Sequence, residues 1–211
     1  MVLLVRHGKT PTTGTILPGR APDLHLSEEG MAQAEAVADR IAALTGTPLS
    51  PPEAVYASPL ERTFETARPI ARALGLRVRS DRGLLECDFG TWTGQELKSL
   101  AKKPEWRQVQ QCPSGFRFPD GESFLEMQAR MAATLTRLTH LHPGATVVAV
   151  SHADPIKVAI AHCAGTHLDL FQRLVVGPCS VSAIAFDHDG GGTPHVLCVN
   201  STAALGDLVV S

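Results

Sequence analysis

Two apolar runs in this 211-residue chain each end in a histidine. Val2 to Val5 leads into Arg6-His7-Gly8, and Thr146 to Val150 leads into Ser151-His152. An arginine beside a histidine offers two kinds of chemistry. The guanidinium fork matches phosphate bidentately. The imidazole titrates near neutrality and can attack or shuttle protons. Gly8 would let an anion approach the backbone closely. Together they suit a phosphoryl group. The plainer alternative is that Arg6 and His7 are the solvated exit of a buried strand and Gly8 is its turn.

Two further candidates lie elsewhere. SPLERTFETA at 58 to 67 follows a short apolar run and carries Arg62 on the first turns of a helix. The N-terminus of such a helix favours an anion, so Arg62 can face the same crevice. It can equally pair with Glu61 or Glu65 on a solvated face. Glu86 sits in LLECDFGTW, between two leucines and a cysteine. A carboxylate in such surroundings has its pKa raised and can serve as a general acid. An exposed loop glutamate, with Asp88 in the acid's role, is the competing reading.

The elements that must position these residues follow from period and punctuation. Residues 2 to 6 read as a buried strand and 9 to 26 as a long loop, a length that is often functional. Ser27 opens a helix with Ala32, Ala36, Val37, Ile41 and Leu44 on its apolar face. Pro48 to Pro52 breaks the chain before a strand at 54 to 57. Ser58-Pro59 then reads as serine cap and first-turn proline of a helix that ends at Gly75. A third strand covers 76 to 79, followed by an irregular stretch from 84 to 93. Helical pieces are expected from 95 to 110, a loop from 112 to 121, and a long helix from Glu122 to about Leu141. TVVAV at 146 to 150 is a strand, 155 to 164 a helix closed by Gly165. Residues 181 to 187 and 195 to 200 alternate as an edge hairpin around a GGG turn. This order predicts an α/β fold of three layers, α/β/α, with a mostly parallel central sheet and a single domain over 1–211.

In such sheets ligands bind beyond the carboxyl ends of the strands, where both histidines fall. Net charge is −2 and 19% of residues are charged, which argues against nucleic acid or an anionic membrane as partner. Five cysteines without a C-x-x-C pair argue against a disulfide framework or structural zinc. His162 and His167 are five apart, not the four of a helical metal pair, so neither metal nor cofactor is expected. No leader or membrane-length segment is read, and the expected setting is the cytoplasm.

Arg6-His7-Gly8, S-P-L-x-R-T-x-x-T-A at 58 to 67, L-x-E-x-x-F-G-x-W-x-G at 84 to 94, P-x-G-E-S at 119 to 123 and S-H-A at 151 to 153 occur in order. This series resembles the histidine phosphatase superfamily, the phosphoglycerate-mutase-like group, over about residues 2 to 200. The resemblance implies that His7 takes the phosphoryl group as a phosphohistidine. It implies that Arg6 and Arg62 hold the phosphate, that His152 contacts the phosphoryl oxygens, and that Glu86 protonates the leaving oxygen. Two departures stand out. Lys9 replaces a glutamate, and Thr13 stands where an asparagine often touches phosphate and can still donate one hydrogen bond. Ala153 keeps a small residue whose N–H can reach the anion.

Three activities compete: hydrolysis of a small phosphorylated metabolite, a cofactor-dependent phosphoglycerate mutase, and a non-catalytic phosphate-binding module. The compact length and the departures at Lys9 and Thr13 favour the phosphatase. Arg20 is expected to face the substrate from the first loop. The basic and aromatic residues of 95 to 121 are expected to cover the site and to suit an anionic or sugar-like phosphate. A homodimer is compatible with this reading.

Overall fold

The computed structural model describes residues 1–44, 51–187 and 192–205. Its six strands are β1 (Val2–Arg6), β2 (Pro52–Ala57), β3 (Val78–Ser80), β4 (Thr146–Ser151), β5 (Val181–Ala185) and β6 (His195–Ser201). The helices are α1 (Glu28–Ala42), α2 (Glu61–Ala73), α3 (Leu97–Leu100), α4 (Trp106–Gln111), α5 (Phe124–Leu141) and α6 (Ala153–Cys163). All strands join one sheet in the order β3-β2-β4-β1-β5-β6. The first four are mutually parallel, and β5 and β6 run antiparallel at one side.

The two-residue period of the strands builds the layers. Leu3, Val5, Val55, Val148 and Val150 pack with α1 and α2 on one face. Val2, Leu4, Tyr56, Val147 and Ala149 pack with α5 and α6 on the other. Both faces are covered, so β1 and β4 read as continuous apolar runs rather than alternating ones. The result is the three-layer α/β/α architecture with a mostly parallel sheet.

Several local expectations change. On α1 the buried residues are Gly30, Ala34, Val37, Ala38 and Ile41, while Ala32 and Ala36 face solvent. Equal alanines carry no phase information, and the true face follows Val37 and Ile41. α2 begins at Glu61 with Leu60 at the cap and no side-chain capping bond. Ser58 is therefore not a cap; its hydroxyl is used in the site. The third strand is shifted to 78–80. α5 starts at Phe124 behind Ser123, whose reciprocal bonds with Glu126 form a capping box, worth about 0.5–2 kcal/mol for the cap itself. α6 starts two residues earlier than expected, at Ala153. The segment 45–50, which holds most of the expected Pro48 to Pro52 break, and Gly190 and Gly191 of the GGG turn lie outside the described residues.

Candidate active site

Sheet register brings the two histidines together. Arg6 of β1 pairs with Ser151 of β4, so the next residues, His7 and His152, leave the sheet side by side. His7 N–H extends the ladder by donating to Ser151 O (3.0 Å), and Ser58 N–H does the same from β2 to Val150 O (3.0 Å). The ring centroids of His7 and His152 are 5.2 Å apart, edge to face. Ser151 Oγ donates to Leu84 O (2.7 Å). That bond draws in the irregular stretch carrying Glu86, whose Oε2 lies 4.0 Å from His152 Nδ1.

Hydrogen bonding sets the tautomers. His7 Nδ1 donates to Gly8 O (2.7 Å), which leaves Nε2 with its lone pair. Arg62 Nη2 donates to His152 Nδ1 (3.2 Å), so the His152 proton sits on Nε2 and points to Ser58 Oγ (2.9 Å). Burial holds the pKa of both imidazoles well below the ordinary histidine value, and Arg62 pushes each further down. Both are neutral at physiological pH. Glu86 moves the other way: burial, then the neighbouring Asp154 carboxylate, raise it to about 7. It is protonated in part near neutrality.

The two arginines are unusual. Arg62 is fully buried. Its Nη2 donates to Gly19 O (2.8 Å) as well as to His152, while Nε and Nη1 are buried without a hydrogen-bond partner among the described residues. Arg6 Nη1 donates to Val176 O (2.7 Å), and its Nε is also buried and unpartnered there. Within the described chain, both guanidinium groups bond carbonyl oxygens and an imidazole rather than a carboxylate. Glu65, one of the expected partners of Arg62, instead accepts from His25 Nδ1 (2.5 Å) and Leu26 N–H (2.8 Å). Burying two cations is costly; Glu86 is the main charge that favours both, and their unfilled N–H groups are suited to accept an anion.

These groups sit at one end of a cleft of about 500 Å³ lined by Arg6, His7, Thr10, Thr13, Glu86 and Ala153, among others. His152, fully buried, packs against His7, and Arg62, also fully buried, is bonded to it. The ring nitrogens of His152 are engaged by Arg62 Nη2 and Ser58 Oγ. Thr13 Oγ1 accepts from Thr10 N–H (2.9 Å) and meets Thr10 Oγ1 (3.0 Å). Ala153 is the first residue of α6, half-buried at the cleft.

Arg20 does not face the cleft. Its Nε donates to Glu86 O (2.8 Å), and its Nη2 to Glu122 Oε2 (3.0 Å). Arg130 joins the same cluster through Gly83 O, Leu85 O and Glu122. The pair of arginines thus clamps the Glu86 backbone, and Asp88 is drawn off to Gly90 N–H (3.0 Å) and Arg20. Gly8 also differs from expectation. A Cβ there would meet Gly30 O at 2.5 Å, so its role is to seat the start of α1 against the first loop. Lys9 pairs with Glu29 on that helix (2.6 Å) and leaves the cleft.

The segment 95 to 121 does flank the cleft, through Leu97, Trp106, Val109, Gln110 and Phe118. Its cations turn outward. Lys98, Lys102, Arg107 and Arg117 are exposed, and Lys103 lies over the Trp92 ring. The basic surround anticipated for a substrate is not there. Sequence reasoning misses Ser58, Glu122 and Arg130 as supports, and Asp154 as the charge beside Glu86. Asp154 alone has a local signal, since it sits two residues past His152. No group of three or more histidine, cysteine or carboxylate side chains gathers in a metal-binding arrangement among the described residues, and their cysteines are all free.

Comparison with known proteins shows the family and the fold. Residues 2–200 match the family model of the histidine phosphatase superfamily, branch 1. The bifunctional protein Rv2228c of Mycobacterium tuberculosis is 33% identical over 205 residues, 97% of this chain and 54% of its own length. The chain thus spans about half of that relative. A protein named "Probable phosphoglycerate mutase GpmB" from Cronobacter sakazakii is 34% identical over 188 residues, covering 88% of this chain and 84% of its own. The structure of a phosphoserine phosphatase from Entamoeba histolytica with phosphoserine superposes with a TM-score of 0.81 at 27% identity, over 97% of this chain and 98% of that one. With the family model matched over residues 2–200 and the fold shared, this chain belongs to the histidine phosphatase superfamily.

Proposed function

We propose that the chain is a phosphomonoesterase that hydrolyses a small phosphate ester through a phosphohistidine on His7. The observation that carries this reading is the set of buried, unpartnered guanidinium atoms, Nε of Arg6 with Nε and Nη1 of Arg62. They sit beside a neutral His7 whose Nε2 lone pair is free. Dianionic phosphate satisfies those donors. Phosphoryl transfer asks mainly for positioning and charge stabilisation, which the two arginines supply.

In the first step His7 Nε2 forms a bond to phosphorus while the ester P–O bond breaks. Glu86, in its protonated form, gives its proton to the leaving oxygen, and the alcohol departs. In the second step water attacks phosphorus, Glu86 carboxylate takes its proton, and the P–N electron pair returns to His7. Phosphate leaves and Glu86 is protonated again. His152 and Ser58 keep Arg62 in place, Arg20 and Arg130 keep Glu86 in place, and Thr13 and the Ala153 N–H line the anion site.

The relative named as a phosphoglycerate mutase supports a second reading, in which an alcohol rather than water accepts the phosphoryl group. One assay separates them. Purified protein and His7→Ala are given a panel of phosphomonoesters with a chelator present, and both free phosphate and isomerised product are scored. Hydrolysis predicts phosphate release that survives chelation and disappears in the variant. Isomerisation of phosphoglycerate with little free phosphate establishes the mutase reading instead.

A further inference from the structure

The cleft continues past the anion-binding end, and there its chemistry changes. Ile16 and Leu17 from the first loop, Leu97 of α3, Trp106 of α4, and Leu174 and Val175, which follow a short 3-10 helix at Leu168–Arg173, all line it. Five of the six are only half-buried, and Val175 is 69% exposed. Leaving several apolar side chains in contact with water around one concavity is unfavourable unless something apolar covers them. Of the large apolar side chains that are exposed outright among the described residues, Val175 is the one that lines this cleft.

Besides Arg6, His7 and Glu86, the polar side chains lining the cleft are Thr10, Thr13, Gln110, Asp154, Lys157 and Gln172, and all of these but Gln110 are engaged in hydrogen bonds or ion pairs. Among the described residues, the cations lining the cleft are Arg6 and Lys157. Lys157 Nζ already lies 3.5 Å from Asp154 Oδ1 and 3.4 Å from Gln172 Oε1. The Thr10 and Thr13 hydroxyls face each other. Away from Arg6, a carboxylated substrate would meet no uncommitted lining cation, and the Asp154 carboxylate would repel it. A sugar would find the lining hydroxyls and amides already engaged, Gln110 excepted. The cavity, about 500 Å³, is of the size that encloses a drug-sized ligand, about 300–1,000 Å³, far more than a phosphoryl group fills.

We propose that the site selects phosphomonoesters of apolar alcohols, whose alkyl or ring-bearing portion lies against Leu17, Leu97, Trp106 and Leu174 while the phosphoryl group meets Arg6 and Arg62. The inference rests on the hydrolytic reading above, with the apolar end holding the leaving alcohol. It replaces the sugar-like or anionic substrate expected from the basic residues of 95 to 121.

The test uses ethyl, butyl, hexyl and octyl phosphate, with phosphoserine and glucose 6-phosphate as polar comparators. Turnover is measured on the wild-type chain. Binding is measured by calorimetry on His7→Ala, which cannot consume the ligand. The expected result is a kcat/KM and an affinity that climb by up to about fourfold per added methylene until the cleft is filled. The heat-capacity change of binding grows more negative along the series. Val175→Asp lowers the octyl-to-ethyl ratio by about tenfold or more, as expected when roughly two methylenes lose their cover.

A flat series, or a clear preference for phosphoserine or the sugar phosphate, overturns the inference while phosphate release still supports hydrolysis. An unchanged ratio in Val175→Asp also counts against it. Chain-length-dependent binding without phosphate release from any ester supports the inference and removes the hydrolytic reading. Absence of both binding and turnover removes both.

Discussion

Glu86 gives the sharpest handle on the chemistry. The residue is 8% exposed, and burial together with Asp154 lifts its pKa to about 7 from an ordinary 4.5. As the proposed acid of the first step it must carry a proton. A pKa of about 7 leaves about 90% protonated at pH 6 and about 10% at pH 8. The pH dependence of kcat/KM reports groups of the free enzyme. It should therefore fall on the alkaline side through about pH 7, approaching tenfold per pH unit. His7 acts as a neutral imidazole, and its pKa lies well below the ordinary histidine range. The acidic limb then reflects the substrate's second ionisation near about 6 rather than His7. In Glu86→Gln the alkaline limb disappears. Turnover of an alkyl phosphate falls by about 10²–10⁴-fold, the usual worth of a positioned general acid. Nitrophenyl phosphate, whose leaving group departs without a proton, loses much less. A stability measurement provides an independent check. Ionising Glu86 costs more in the folded chain than in the unfolded one. The penalty is absent below about pH 4.5, grows through the window from 4.5 to 7 and then levels off. Glu86→Gln should thus be more stable than wild type at pH 8, by on the order of 3 kcal/mol from the shift alone, and closer to it at pH 4.5. Urea unfolding at the two pH values reads this directly. A wild-type kcat/KM that stays level to pH 9, or an alkaline limb that persists unchanged in Glu86→Gln, refutes the assignment.

Other consequences follow from the same contacts. Arg62→Met removes two unpartnered donors and a buried cation; phosphate affinity by calorimetry should drop by at least about 100-fold, at about 1.5–3 kcal/mol per charged hydrogen bond, and an unchanged affinity would remove Arg62 from the anion site. Ser58→Ala frees His152 Nε2 and loosens the hold on Arg62, so kcat/KM should fall by about tenfold, one ordinary hydrogen bond, with thermal stability lowered only modestly; a wild-type kcat/KM would show that the bond does not matter to the site. Gly8→Ala drives a methyl group into Gly30 O and should cost about 1–3 kcal/mol in urea unfolding, as overpacking does; a neutral result would mean that α1 shifts freely.

Much of this arrangement is legible in the amino-acid sequence. Arg6, His7 and His152 announce themselves because apolar strands of a layered α/β fold must end at the ligand-binding edge. Glu86 is marked by its apolar neighbours, and the fold buries it as they suggest. Arg62 is ambiguous in sequence, because a helix-start arginine with glutamates at one residue before and three after looks like a solvated ion-pair face. Only the tertiary contact of Glu65 with His25 and Leu26 releases it. The supports are not readable. Ser58 bonds a residue 94 positions away and Arg20 one 102 away, and nothing local marks either partner. Serine before proline reads as a cap on propensity, yet Ser58 extends a β-ladder and the helix starts at Glu61. The substrate end misleads for a related reason. Composition shows that 95 to 121 holds many cations, but not which side of α3 and α4 meets the cleft. The apolar side faces in, and the lysines and arginines face water.

The central claim is that phosphorus passes through His7 Nε2. The most direct measurement is a rapid-quench experiment with substrate labelled in its phosphoryl group, followed by peptide mapping under alkaline conditions that preserve phosphohistidine. The account predicts label on the peptide carrying His7 within the first turnover, lost at the rate of phosphate release and absent in His7→Ala. Turnover with no labelled intermediate at any time, or label on another residue, would contradict it.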